Sequence, residues 1–171
     1  PIAQAANALL TCITGGGKVL VAGGGAAAAL APYAAALWAG RFERDRPALT
    51  AIALGTNPTL ASLVGDIGEP TQALAKEVQA LGAPGDVLVV IAAGRATSSL
   101  ISALQAALAK EMTVVALTGP DTGVIELMGE TDVHIAVPHE RAARVFESHA
   151  LVLHCLADAV DLQLMGEQDS A

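Results

Sequence analysis

Aromatic side chains are almost missing: one Trp, one Tyr and two Phe make up 2% of the 171 residues. Yet 53% of the chain is hydrophobic, so Ala, Val and Leu carry its apolarity. Cysteine is equally sparse. Cys12 and Cys155 lie far apart in apolar contexts without metal-type spacing, which reads as two free thiols in a reducing compartment. Cations are few, nine Lys and Arg against seventeen Asp and Glu. The resulting net charge of −8 counts against direct contact with nucleic acid or an anionic membrane and suits an acidic cytoplasmic protein. No apolar window runs unbroken for the ~20 residues that a membrane span needs; Gly, Pro or charge interrupts each one. No signal peptide is visible. The chain also lacks an initiator Met: Pro1 opens inside a helix-like segment, so preceding residues are expected.

What is present is an alternation of strands and helices. Ile2–Ile13 reads as a helix stopped by Gly15-Gly16-Gly17, and Lys18–Ala22 as a short buried strand. Ala26–Gly40 is helical despite Pro32, and Arg41–Pro47 is a charged surface loop. Leu49–Leu54 is a second strand, followed by Asn57 as N-cap with Pro58 at the first helical position. Thr71–Leu81 is an amphipathic helix. Val87–Ala92 is a continuous β-branched apolar run, hence a central parallel strand. A helix at Thr97–Glu111, strands at Thr113–Leu117 and Val133–Val137, and a closing helix at Glu140–Met165 complete the order. This pattern predicts one α/β domain over residues 1–171, a three-layer sandwich around a five-stranded parallel sheet. Helix 26–40 has almost no polar face and must be buried all round, which in so small a chain predicts burial between subunits of a homo-oligomer.

Parallel sheets bind ligands at the carboxyl ends of their strands. The first such end, Gly23-Gly24-Gly25-Ala26-Ala27-Ala28, formally fits the dinucleotide pattern G-x-G-x-x-A. The acid that should end the second strand and hold a ribose is missing; Leu54-Gly55-Thr56-Asn57 stands there, so a dinucleotide cofactor is not expected. Thr97, Ser98 and Ser99 open a helix after the central strand. Hydroxyls and free N–H groups there suit an anion, and one of them serves equally well as a helix cap. Arg95 in the same loop either adds a charge or faces solvent.

The segments "GRFERDRPALTAIAL", "EVQALGAPGDVLVVIA", "KEMTVVALTGPDTG", "DVHIAVPHERAARVFESHALVLHCLADAVD" and "EQDS" run in order along nearly the whole chain. They resemble the SIS (sugar isomerase) domain family, in the branch that holds phosphoheptose isomerase and the DnaA initiator-associating protein DiaA. The tail "LHCLADAVDLQLMGEQDS" is more similar to DiaA. The resemblance implies a flavodoxin-like sheet, a homotetramer, an additional N-terminal helix and phosphosugar sites at subunit interfaces.

The family's first loop reads like Gly-Asn-Gly-Gly-Ser; here the serine becomes Ala27. Its second loop reads like Ser-Thr-Ser-Gly-Asn-Ser; here it is Ala92 to Thr97. The resemblance places the family's catalytic glutamate at Leu37, a histidine at Tyr33, a glutamine at Phe146 and the catalytic histidine at His154. A metal known in some members would use those same four places, so none is expected. Isomerisation needs a base beside adjacent sugar carbons, and leucine cannot take a proton. The expectation is therefore a lost isomerase chemistry, with Tyr33, Leu37 and Phe146 plugging the pocket if they converge.

Glu147 and His154, seven apart on one helix, share a face and form a substitute acid–base pair. The plainer alternative pairs Glu147 with Arg144 and makes His154 a hydrogen-bonded interior residue. His149 points elsewhere, and His134 and His139 read as surface residues. Asp66 is either a site acid or a loop cap. Leu164-Met165 is an apolar pair suited to a partner contact or to packing. Three functions compete: a non-catalytic DiaA-like module that contacts the replication initiator DnaA, a sedoheptulose 7-phosphate isomerase, and a phosphosugar sensor without turnover.

Overall fold

The computed structural model describes residues 1–120 and 123–166. Five parallel strands form one sheet: β1 (Val19–Gly24), β2 (Ala51–Ala53), β3 (Val87–Ala92), β4 (Thr113–Thr118) and β5 (Val133–Ala136). Their order is β2-β1-β3-β4-β5, the flavodoxin-like arrangement. The strands are apolar because both sheet faces are covered. Alternate residues face opposite layers. Val19, Val21, Val87, Val89, Ile91, Val115 and Leu117 pack on one side with α1 (Ile2–Thr14), α2 (Leu30–Ala39) and α6 (Ala142–Met165). Leu20, Ala22, Leu88, Val90, Val114 and Ala116 pack on the other with α4 (Ala73–Leu81) and α5 (Ser98–Ala109). Helix α3 (Pro58–Asp66) precedes α4, and Asn57 caps it by accepting the Leu60 N–H at 3.1 Å.

Chain direction explains where a ligand belongs. From β1 the chain moves outward to β2, then returns across to β3 on β1's other side. Loops leaving β1 and β3 therefore diverge, and a crevice opens at their carboxyl ends.

Three local expectations change. The alanine run after β1 does not start as an α-helix; Gly25–Ala29 is a 3-10 turn and α2 begins at Leu30. Gly25 has φ +56, which sets up this turn at no cost in a residue without Cβ. Arg41–Pro47 is not wholly a surface loop. The Arg46 side chain is buried, paired with buried Asp161 of α6, and donates to the Leu37 and Trp38 carbonyls at 2.7 and 2.9 Å. Leu164 and Met165 are not an exposed pair either. A helix turns about 100° per residue, so Leu164 packs on the core while Met165 stays exposed. Asp121, Thr122 and the "EQDS" part of the tail lie outside the described residues.

Candidate active site

The crevice is a cleft of about 500 Å³ lined by Gly23, Gly24, Gly25, Thr97 and Ser99, with Gly55 and Thr56 from the β2 end. The glycines are demanded by close approach. A Cβ on Gly23 would stand 2.3 Å from the Ala27 carbonyl oxygen. One on Gly24 would meet Leu100 Cδ1 at 2.6 Å and Thr97 Oγ1 at 3.4 Å. Gly24 is therefore the seam that presses the first loop against the start of α5.

Thr97 caps α5: its Oγ1 accepts the Leu100 N–H at 3.3 Å. The capping alternative thus describes this hydroxyl. Ser99 is half-buried and lines the cleft, whereas Ser98 is exposed and does not. Asp66 is exposed at the end of α3, away from the lining residues. No Lys or Arg is among the described residues that line this cleft. Attraction for an anion would come from backbone N–H groups and the positive end of α5. Sequence reasoning missed Glu77 of α4, whose carboxylate accepts the Gly55 N–H at 2.6 Å and occupies that donor. The signal was an acid at a half-buried position of an amphipathic helix.

A second cavity of about 560 Å³ opens on the other side of the same strand ends, between Ala26, Ala93, Ala142, Ala143, Phe146 and Glu147. Glu147 pairs with Arg144 at 2.5 Å, both about half exposed. His154 lies seven residues further along α6, roughly 10 Å of helix rise. Its Nε2 is 2.6 Å from the Tyr33 hydroxyl, and the Phe42 ring stacks on the imidazole with centroids 5.1 Å apart. Glu147 and His154 thus have separate partners and do not form one acid–base pair.

Tyr33, Leu37 and Phe146 do not plug a pocket. Leu37 is 6% exposed within the core, Tyr33 is 42% exposed, and Phe146 forms a wall of the open second cavity. Nor do the four positions suit a metal. Leu37 and Phe146 carry no donor atom, and no group of three His, Cys, Asp or Glu converges among the described residues.

The other histidines are structural. His149 is fully buried; its Nε2–H donates to the Thr118 carbonyl at 3.1 Å, and burial pushes its pKa down. His134 is not a surface residue: it is half-buried, 2.7 Å from the Thr118 hydroxyl, and burial lowers its pKa as well. Its register explains this. His134 pairs with Ala116, which puts it on the same sheet face as Thr118 two residues on. His139 is exposed and accepts the Arg141 N–H at 3.0 Å.

No helix is long and apolar enough to cross a membrane among the described residues. A family model described as SIS domain matches residues 1–119. A phosphoheptose isomerase of Methylibium petroleiphilum is 52% identical over 99% of this chain and 85% of its own length. Two solved phosphoheptose isomerases share the fold. That of Francisella tularensis has a TM-score of 0.89 and 37% identity, over 94% of this chain and 84% of its own. That of Neisseria gonorrhoeae has a TM-score of 0.87 and 38% identity, over 94% and 85%. The closer likeness to DiaA expected from the tail finds no support in these relatives, and neither does the expectation of a non-catalytic module. On this combination of sheet order, crevice and near-full-length similarity, the chain belongs to the SIS domain family, in its phosphoheptose isomerase branch.

Proposed function

We propose that the chain is a sugar-phosphate isomerase acting on sedoheptulose 7-phosphate. The observation that carries this reading is the 52% identity, over 99% of the chain, to a protein named phosphoheptose isomerase. The geometry is in keeping with it. The phosphate would sit at the seam of the two loops, on N–H groups of Gly23 to Gly25 and the hydroxyls of Thr97 and Ser99. Aldose–ketose isomerisation then moves one proton between adjacent carbons. His154, where the family resemblance places the catalytic histidine, is the candidate acid–base group. A homo-oligomer, a tetramer by family resemblance, goes with this reading. The α2–α6 face that carries Tyr33 and His154 also exposes Leu151, Leu162 and Met165.

One observation favours a second reading, binding without turnover. The position that the family resemblance gives to a catalytic glutamate holds Leu37, buried in the core. The test is a titration with sedoheptulose 7-phosphate followed by thermal unfolding, with an isomerisation assay on the same sample. Stabilisation with turnover supports the isomerase. Stabilisation alone leaves the sensor, and neither effect removes both.

A further inference from the structure

His154 is held from two sides. Two of the chain's few aromatic residues clamp it. Tyr33 reaches from α2 with its hydroxyl 2.6 Å from Nε2 and its ring edge-on at a centroid distance of 5.7 Å. Phe42, from the segment after α2, stacks at 5.1 Å with the planes 30° apart. A stacked ring fixes the imidazole plane, and the hydrogen bond fixes rotation within that plane. Tyr33 is otherwise an exposed aromatic, 42% accessible, with little burial to explain its place. A phenol hydroxyl both donates and accepts, so it holds Nε2 in either tautomer of the neutral imidazole. With Nε2 engaged by the phenol, Nδ1 is the nitrogen left for another molecule; no hydrogen bond to it forms among the described residues.

We infer that Tyr33 is the positioning residue for His154: its hydroxyl on Nε2, together with the Phe42 stack, holds the imidazole in one orientation and leaves Nδ1 unengaged. The inference rests on the isomerase reading above. It places no proton on Tyr33 during the reaction and needs no further co-reactant.

The experiment compares wild type with Tyr33→Phe, which keeps the ring and removes only the hydroxyl. The ¹⁵N resonances of the His154 imidazole report the hydrogen bond at Nε2, and kinetics with sedoheptulose 7-phosphate report function. The expected result is a shift of the Nε2 resonance as its hydrogen bond is lost, and a kcat lowered by about tenfold to a hundredfold, the scale on which partners that orient metal-ligating histidines act. KM should stay within about twofold, because the phosphate contacts of the two loops are untouched. Phe42→Leu, which loosens the stack and keeps the hydrogen bond, should lower kcat with the Nε2 resonance preserved. Unchanged nitrogen resonances, or an unchanged kcat in Tyr33→Phe beside an active wild type, overturn the Tyr33 role alone. A wild type with no turnover overturns the isomerase reading and the Tyr33 role with it.

Discussion

His149 is fully buried, and among the described residues its one hydrogen-bond partner is the Thr118 carbonyl. Burial lowers its pKa, so the folded chain refuses a proton that the unfolded chain accepts from about pH 6.5 downward. Between the ordinary value and the lowered one, the unfolded state binds more protons. Stability is therefore full above about pH 6.5 and declines as pH falls through that window. Urea unfolding at pH 7.5 and pH 5 should show this decline, and His149→Gln should flatten it while lowering stability at both values. An identical slope in the variant would assign the decline to other groups. Such roles were hard to see in the sequence. The pattern places a histidine on a strand or helix, but whether it meets solvent depends on a neighbour far along the chain. Thr118 serves both His134 and His149 from β4. The two glycine- and hydroxyl-bearing loops that line the cleft were legible as loops because glycines and capping hydroxyls act through their own backbone. Glu77 and the Tyr33–His154 contact were not, because each joins two elements distant in sequence.

Helix α2 ends on a cation supplied from outside it. Arg46 donates to the carbonyls of Leu37, Trp38 and Gly40, which the helix itself leaves unpaired, and its guanidinium also meets Asp161 of α6. The positive charge suits the negative end of the helix. Both side chains are 1% exposed, so removal of one strands the other in a dry site. Arg46→Ala and Asp161→Ala should each cost about 3–5 kcal/mol, and the double variant much less than their sum, as read by chemical denaturation. A near-additive double variant would mean that the pair is not coupled. At this scale the sequence was informative about what each element is and less about where it ends. The apolar β-branched runs marked the strands, and Asn57-Pro58 marked the start of α3. The alanine run after β1 has the same composition in a 3-10 turn and in an α-helix, so only the Gly25 turn decided between them. Arg46 looked like part of a solvated charge cluster, because nothing local announces a partner 115 residues away.

As a whole, the molecule leaves apolar side chains uncovered at Leu63 and Ile67 around the end of α3 and along one stripe of α6. Leu151 is 63% exposed, and Leu162 and Met165 follow on the same helix at 44% and 46%. If copies associate through this face, as proposed, the unfolding midpoint should rise with protein concentration, and Leu151→Glu should remove that dependence. A midpoint indifferent to concentration in the wild type would argue for a monomer. A different whole-molecule property follows from the seam at Gly24. Its missing Cβ lets the first loop lie against Leu100 and Thr97, so the two loops are packed into one piece. That piece also forms part of both cavities, through Ala93 and Ala26 on one side and Thr97 and Gly24 on the other. A ligand seated in either cavity thus leans on a shared partition. The two compartments are neighbours across one wall.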